Sequence, residues 1–362
     1  METLELDTPV AIIDLSIMEK NISDMADFAR NAGVQLRPHI KTHKVPEITS
    51  KQLEAGASGI TCAKIGEAEV MSIVASDIFI ANLIVGNDKI QRLLNLSEKL
   101  EKISVAIDSV EVAEPLSEAA KGAKIPVLIK IDTGLKRTGV PYGLPALNLA
   151  RKLDKMKGLK LIGIYTHEGH VYGAPDYEGV KNIGLESGQM MAETADMLRK
   201  SGFNIEVVSV GATPSAEVTC TVPGITETRP GTYVFDDYFQ MRLGAAYEDD
   251  CALTILATVI SVPEPNRAVI DAGTKSLMSE KAKDFGVYGL AKGMPHVSLI
   301  RAYEEHGVLQ VDPSKGRLKV GDKVEIIPNH VCPVVNLFDE LVGLRNGVVE
   351  TTWKVAARGK LQ

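Results

Sequence analysis

An alternation of apolar strands with amphipathic helices constrains the fold most strongly, and it continues for about two hundred residues. It follows a short apolar strand at 9–14 and a helix at about 16–32, and its clearest helical stretches are 66–75 and 177–202. Several strands are nearly continuous apolar runs, which is typical of a sheet covered on both faces. Eight parallel strands alternating with helices predict an α/β fold, a (β/α)₈ barrel. The candidate strands are 34–40, 58–63, 77–82, 103–108, 125–132, 159–166, 205–211 and 225–231.

The pattern changes near residue 250. Strand-like segments separated by turns follow, and strong helical periodicity is missing. We therefore expect a barrel over 15–248 and a mostly β domain formed by 1–14 together with 249–362. The segments that indicate the β domain are 251–262, 266–273, 316–330 and 346–359.

Charge and composition exclude several classes of function. The 362 residues carry a net charge of −7, so there is no basic surplus for a nucleic-acid backbone. The apolar runs are far shorter than the roughly 20 residues that span a bilayer. The four cysteines form no C-x-x-C pair, and no basic and apolar leader opens the chain. These features predict a cytoplasmic enzyme with a small-molecule substrate.

Reactive side chains are concentrated at the carboxyl ends of the candidate strands, where (β/α)₈ barrels place their active sites. Basic and aromatic types outnumber the Ser, Asn and Asp of ordinary turns, although loops are polar in general. The strand-end residues are His39, Lys41, His43, Lys44, Asp132, Lys136, Arg137, Tyr165, His167, His170, Thr213, Ser215, Arg229 and Tyr233.

Lys41 lies in the most informative of these segments, RPHIKTHK. A lysine at the end of a buried strand is costly to desolvate, and a lysine with a lowered pKa is the usual imine-forming nucleophile. A surface lysine in a basic loop is the alternative interpretation.

Two further segments suggest a phosphate site. VGATPSAE follows an apolar strand and opens a helix, where Thr213, Ser215 and backbone N–H groups attract anions. An ordinary helix N-cap explains the same residues. RPGTYVFDD, with Gly231 and Tyr233, offers a second wall for this cup.

PNHVCPVVN, near the end of the β domain, contains His330 and Cys332, two residues apart. In an extended segment both side chains point to one side. Imidazole and thiolate together suit zinc, with open positions for water or substrate. A purely structural role is the alternative.

Together these segments resemble the fold-type III pyridoxal-5′-phosphate (PLP) enzymes related to D-threonine aldolase and D-serine dehydratase. TPVAIIDLSIMEKNI with RPHIKTHK is similar to their N-terminal signature, and DTGLKRTGV to the alanine-racemase-like segment whose arginine lies near the cofactor's phenolic oxygen. VGATPSAE and RPGTYVFDD resemble the phosphate-binding segments, and PNHVCPVVNLFD resembles the metal site. The resemblance covers nearly the whole chain in the same order and implies an alanine racemase-like PLP barrel, a β domain and a homodimer.

The resemblance also implies roles for residues. Lys41 would bond covalently to PLP and act in catalysis together with His167 and His170, His170 as a base in the aldolase route. His330 and Cys332 would hold a divalent metal, with Zn²⁺ favoured and Mn²⁺ or Mg²⁺ as alternatives. The residues assigned to PLP are Lys41, His39, Arg137, Tyr165, Thr213, Ser215, Gly231 and Tyr233.

The resemblance leaves two reactions on a D-β-hydroxy amino acid. A dehydratase gives a keto acid and ammonia, whereas an aldolase gives glycine and an aldehyde by Cα–Cβ cleavage. Cys332 stands where characterised bacterial aldolases have an aspartate, and this favours the dehydratase, although VVNLFD is also similar to the aldolases. The sequence is also compatible with an amino-acid racemase, a non-enzymatic PLP-binding protein or a barrel without PLP.

Overall fold

The computed structural model describes residues 2–279 and 286–362. The chain divides into two compact units, the barrel unit and the β unit. The domain boundaries expected after residues 14 and 248 stay a prediction. The barrel unit comprises Ser23–Lys41, Pro46–Gly231 and Gly359–Gln362, and the β unit comprises Met1–Ile22, Thr42–Val45 and Thr232–Arg358.

The strands are β1 (Val10–Asp14), β2 (Gln35–Leu36), β3 (Ile60–Cys62), β4 (Asp77–Leu83), β5 (Lys102–Ile107), β6 (Ile125–Asp132), β7 (Val140–Pro141), β8 (Leu159–Tyr165), β9 (Val207–Val210), β10 (Glu227–Thr228), β11 (Leu253–Glu264), β12 (Arg267–Ile270), β13 (Gly289–Ala291), β14 (Val297–Ala302), β15 (Gly307–Val311), β16 (Lys323–Pro328), β17 (Glu340–Arg345) and β18 (Val348–Lys354). The helices are α1 (Leu15–Asn31), α2 (Pro46–Glu54), α3 (Ile65–Met71), α4 (Asn87–Ser97), α5 (Val110–Ala119), α6 (Leu144–Leu153), α7 (Tyr177–Lys200), α8 (Ala216–Thr219), α9 (Tyr238–Arg242), α10 (Thr274–Leu277) and α11 (Val331–Val335). Within the described ranges, no helix combines the length and the apolarity needed to cross a membrane.

A parallel sheet in the order β2-β10-β9-β8-β6-β5-β4-β3 forms the barrel unit. A parallel bridge between His39 and Thr61 joins the two ends of this order and closes the barrel. Each of the eight predicted strands overlaps one of these strands, so the predicted barrel is confirmed. The strand interiors are buried because helices cover the outer face and side chains such as Phe79, Leu128 and Tyr165 fill the inside.

The β unit is built on a sheet in the order β12-β15-β14-β13-β16-β11-β1-β17-β18. An additional pairing of β11 with β12 closes six of these strands into a ring. Pairing is antiparallel except between β1 and β17, and β1 also pairs with β11. Ile12, Leu256, Val342 and Leu344 pack together in one part of its core. A mostly β region follows the barrel, as the sequence pattern predicts.

Candidate active site

Lys41 follows the end of β2 and lies in the 3₁₀ turn Ile40–Thr42. Its backbone N–H donates to Nδ1 of His39 at 3.4 Å, which assigns the ring proton of a neutral His39 to Nε2. Burial and then the positive charge of Lys41 hold the pKa of His39 well below its usual value. The structure therefore brings these two predicted residues together and keeps the imidazole neutral.

His167 lies just beyond β8, and its Nδ1 is 2.8 Å from the carbonyl oxygen of Gly211. A carbonyl only accepts, so Nδ1 carries the proton and Nε2 keeps its lone pair. Burial, followed by the charge of Lys41, lowers the pKa of His167 to about 3. His167 is thus a neutral imidazole at neutral pH, with Nδ1–H donating to Gly211 and Nε2 available as an acceptor.

His170 lies one turn further on, in the 3₁₀ turn Gly169–Gly173. Within the described residues its Nδ1 is buried and has no hydrogen-bond partner. Gly134, at φ +142°, lies against the ring, and a Cβ atom there would be only 2.9 Å from Nε2. The imidazole therefore faces the loop after β6 and retains one unsatisfied atom for a ligand.

Arg137 is exposed on this same loop, between β6 and β7. Asp132 shapes the loop, because its Oδ1 accepts hydrogen bonds from the backbone N–H groups of Gly134 and Lys136. Burial and then the charge of Arg137 lower the pKa of Lys130 to about 8. Arg137 on the loop thus acts on Lys130 of β6, and it also lowers the pKa of His167.

Tyr165, predicted to bind the cofactor, is 1% exposed inside the barrel. Its hydroxyl donates to the carbonyl oxygen of Ala81 at 2.6 Å, and its ring meets Phe79 edge-on at 4.9 Å. The guanidinium of Arg229 lies 5.1 Å from the Tyr165 ring and donates to Ser209 Oγ and to the carbonyl oxygen of Thr166. The hydroxyl of Tyr165 therefore already has a partner in the fold, and its role toward PLP stays a prediction.

The predicted phosphate cup is held by Glu168, which is fully buried. Glu168 accepts from Ser215 Oγ at 2.9 Å and from the backbone N–H of Gly211 at 3.1 Å. Thr213 Oγ1 accepts from the backbone N–H of Gly231 at 3.2 Å, so the two predicted walls are joined. The hydroxyl of Ser215 supports the cup from behind, because Glu168 already accepts its proton.

The donors and charges of the barrel unit fit PLP. Lys41, Arg137 and Arg229 all lower the pKa of His167, so their positive charges converge on one place. Carboxylates of the same region are engaged elsewhere, Glu227 by Arg37 at 2.7 Å and Glu168 by the cup. A primary amine, a cationic surrounding and the unsatisfied Nδ1 of His170 match a phosphate-bearing aldehyde cofactor.

In the β unit, the predicted metal ligands His330 and Cys332 are both partly exposed. His330 is extended at the N-cap of α11, but Cys332 lies inside that helix, so the expectation of one extended segment is wrong. Cys332 Sγ lies 3.3 Å from Thr42 Oγ1 and 3.8 Å from Thr232 Oγ1. Tyr233, the next residue after Thr232, is 3% exposed, and its role toward PLP stays a prediction.

Imidazole and thiol donors suit a divalent metal, and zinc in particular. Within residues 2–279 and 286–362, no group of three or more His, Cys, Asp or Glu side chains could hold a metal. The assignment of His330 and Cys332 to a metal stays a prediction.

Sequence reasoning gave no role to several residues of these sites, chiefly Glu168 and Asp237. Glu168 stands between the two predicted histidines in THEGH, and Asp237 is the last residue of RPGTYVFDD. An acidic residue within a strand-end motif was the available signal in both cases.

Residues 13–238 match the family described as "Alanine racemase, N-terminal domain", and residues 252–344 match "Putative serine dehydratase domain". A D-threonine aldolase of Arthrobacter sp. is 35% identical over 98% of this chain and 93% of its own length. A D-threo-3-hydroxyaspartate dehydratase of Delftia sp. is 32% identical over 97% of both chains. The crystal structure of D-threonine aldolase from Filomicrobium marinum has a TM-score of 0.92 at 33% identity and covers 99% of this chain and 98% of its own. The chain therefore belongs to the fold-type III family of D-threonine aldolase and D-serine dehydratase, and it is a lyase of that family.

Proposed function

We propose that the protein is a PLP- and divalent-metal-dependent dehydratase of D-β-hydroxy amino acids, with a keto acid and ammonia as products. The observation that carries the proposal is the surrounding of Lys41, where His39 and His167 are held neutral beside converging positive charges. Two neutral imidazoles in such a cationic site suit proton transfer at carbon, because they accept hydrogen bonds without adding further positive charge. The resemblance implies a homodimer, and the four scattered cysteines favour a reducing cytoplasm.

In the barrel unit, Lys41 would hold PLP covalently, and the cup of Thr213 and Gly231, supported from behind by Ser215, would bind its phosphate. PLP supplies an electron sink for negative charge that develops at the substrate's α-carbon. The ε-amino group of Lys41 would take the α-proton, and Nε2 of His167 would accept a hydrogen bond from the substrate. Arg137 would contribute positive charge near the cofactor's phenolic oxygen.

In the β unit, His330 and Cys332 would hold the metal, with Zn²⁺ favoured and Mn²⁺ or Mg²⁺ as alternatives. The metal supplies a Lewis acid that makes the β-hydroxyl a better leaving group. Solved structures of D-threo-3-hydroxyaspartate dehydratase support this pair: one is a histidine-to-alanine variant, and another is a cysteine-to-alanine variant in the metal-free form. The two substituted positions are two apart, the spacing of His330 and Cys332.

An aldolase is the second candidate, because the 35% identical relative is a D-threonine aldolase. In this route His170 would deprotonate the β-hydroxyl, and the Cα–Cβ bond would break. The contact of the His170 ring with Gly134, on the loop that carries Arg137, and its buried Nδ1 without a hydrogen-bond partner in the described chain support a role for this imidazole. A racemase would use neither the metal pair nor a β-hydroxyl.

Product analysis on D-threonine, with PLP and either Zn²⁺ or Mn²⁺, tests the proposal. We expect 2-oxobutanoate and ammonia, whereas glycine and acetaldehyde would identify an aldolase. Lys41→Ala should lose the absorbance of bound PLP near 420 nm together with activity, and Lys124→Ala, at an exposed position before β6, is the matched control. A Lys41→Ala protein that remains yellow and active would refute the assignment of Lys41.

A further inference from the structure

Asp237 is a fully buried carboxylate of the β unit, and the mechanism proposed above does not use it. Its Oδ1 accepts from the backbone N–H of Gln240 at 3.1 Å and so caps α9. Its Oδ2 accepts from the backbone N–H of Val331 at 3.1 Å, at the first residue of α11. One side chain therefore caps two helices that are far apart in the sequence.

The second of these caps bears directly on His330. A helix N-cap residue commonly satisfies the first N–H groups with its own side chain. His330 occupies the N-cap of α11 without a side-chain cap, and Asp237 supplies the acceptor instead. Asp237, and not the residue at the N-cap, thus satisfies the first N–H group of α11.

A second link connects the same two segments. The backbone N–H of Phe239 donates to the carbonyl oxygen of Asn329 at 3.2 Å. The Phe239 ring lies 6.0 Å from the His330 ring at an angle of 56°. The segment 236–240 thus contacts the residue before His330, the His330 ring and the residue after it.

From these contacts we propose that Asp237 is a positioning residue of the metal site, fixing the backbone from which His330 and Cys332 project. The inference rests on the proposed function, since it requires that these two residues bind metal. Side chains that orient metal ligands typically influence metal affinity by about 10–100-fold.

The test is the Zn²⁺ affinity of PLP-loaded, metal-free protein, measured by competition with a chromophoric chelator. Asp237→Asn leaves one acceptor oxygen for the two N–H groups of Gln240 and Val331, so the side chain can no longer link α9 to α11, and we expect Zn²⁺ to bind about 10–100-fold more weakly. Asp237→Ser keeps an N-cap for α9 but is too short to reach Val331, so it should show the same loss. The absorbance of bound PLP should be unchanged in both variants.

Asp236→Asn is the matched control, because it removes the same charge one residue earlier and asparagine tolerates the φ of +46° found there. Its Zn²⁺ affinity should fall far less than in Asp237→Asn, since the hydrogen bonds from Gln240 and Val331 go to Asp237. Unchanged affinity in Asp237→Asn or Asp237→Ser, or an equal loss in Asp236→Asn, would overturn the inference. Unchanged affinity in His330→Ala would instead refute the proposed metal site itself.

Hydrogen exchange of the wild-type protein tests the coupling between the two segments without requiring that any variant folds. Zn²⁺ should slow the amide exchange of 236–240 and 329–335 together, because Asp237 couples the two segments. Slower exchange confined to 329–335 would contradict the coupling.

Discussion

Replacing Glu168 by glutamine removes one of the two acceptors that hold the phosphate cup. In the native protein the carboxylate accepts from Ser215 Oγ at 2.9 Å and from the Gly211 N–H at 3.1 Å. All three residues are buried, so water cannot take the place of a lost acceptor. Glutamine has one carbonyl oxygen and therefore accepts from only one of the two donors; if it accepts from Gly211, the Ser215 hydroxyl keeps only its longer contact of 3.4 Å with the carbonyl oxygen of Ala212.

The magnitude follows from the number of buried donors that lose their acceptor. Each donor left unpaired destabilises the fold by about 1–3 kcal/mol. Glu168→Gln should therefore lose about 1–3 kcal/mol, and Glu168→Ala, which abandons both donors, about 2–6 kcal/mol. Because Gly211 and Ser215 flank the cup, we expect PLP affinity to fall by about tenfold in Glu168→Gln, equivalent to about 1.4 kcal/mol.

Denaturant unfolding of the cofactor-free protein measures the stability, and absorbance titration with PLP measures the affinity. Glu217→Gln is the control, because this side chain is exposed in the first turn of α8 and should change stability by less than about 0.5 kcal/mol. If Glu168→Gln matched Glu217→Gln in both measurements, the buried carboxylate would not hold the cup.

Two further predictions concern the histidines. The pKa of His167 is lowered to about 3 in the folded state, so the unfolded chain binds the extra proton below its ordinary pKa of about 6.5. The free energy of unfolding should therefore be highest above about pH 6.5 and fall by up to about 2 kcal/mol by pH 5. Denaturant unfolding of His167→Asn should show a smaller decrease of this free energy over the same pH range. Gly134→Ala should lower kcat/KM by at least about tenfold, since the new Cβ atom would lie 2.9 Å from His170 Nε2. Gly122→Ala is the control, because Gly122 is also at positive φ but a Cβ atom there would have nothing within 4 Å. Equal activity of the two variants would contradict the contact.

The barrel could be predicted from the sequence because strands buried on both faces must be apolar almost without interruption. Strand lengths were less accurate. The stretch 34–40 forms a ladder only at Gln35–Leu36, and 225–231 only at Glu227–Thr228. Pro38 and Pro230 follow closely after these ladders, and proline lacks the N–H that a central strand needs.

The β unit was harder to predict, since its shorter strands alternate between buried and exposed positions. β13, β14, β15 and β17 were not among the predicted segments. β13 has three residues, and its burial depends on pairing with β14 and β16, which local periodicity does not encode. Short strands of this kind can be predicted only when their pairing partners are known.

The residue types of the active site could be predicted, but their hydrogen-bond partners could not. Ser215 and Tyr165 each carry a hydroxyl suited to a cofactor, yet the fold uses both. Their partners, Glu168 and Ala81, are 47 and 84 residues away in the sequence. No spacing rule connects positions so far apart, whereas the strand-end position of Lys41 follows from the barrel alone.

In each unit a buried carboxylate fixes the backbone of a segment that is proposed to bind a ligand. Glu168 accepts from a backbone N–H and a hydroxyl behind the cup, and Asp237 accepts from two backbone N–H groups beside His330. A buried carboxylate is expensive to desolvate unless several donors compensate it, so such a group tolerates little displacement of its donors. A loop bonded to it is consequently held in one conformation before a ligand arrives, which lowers the entropy lost on binding. A buried acid that accepts hydrogen bonds from a ligand-binding segment therefore indicates a preorganised site, even where the acid itself does not contact the ligand.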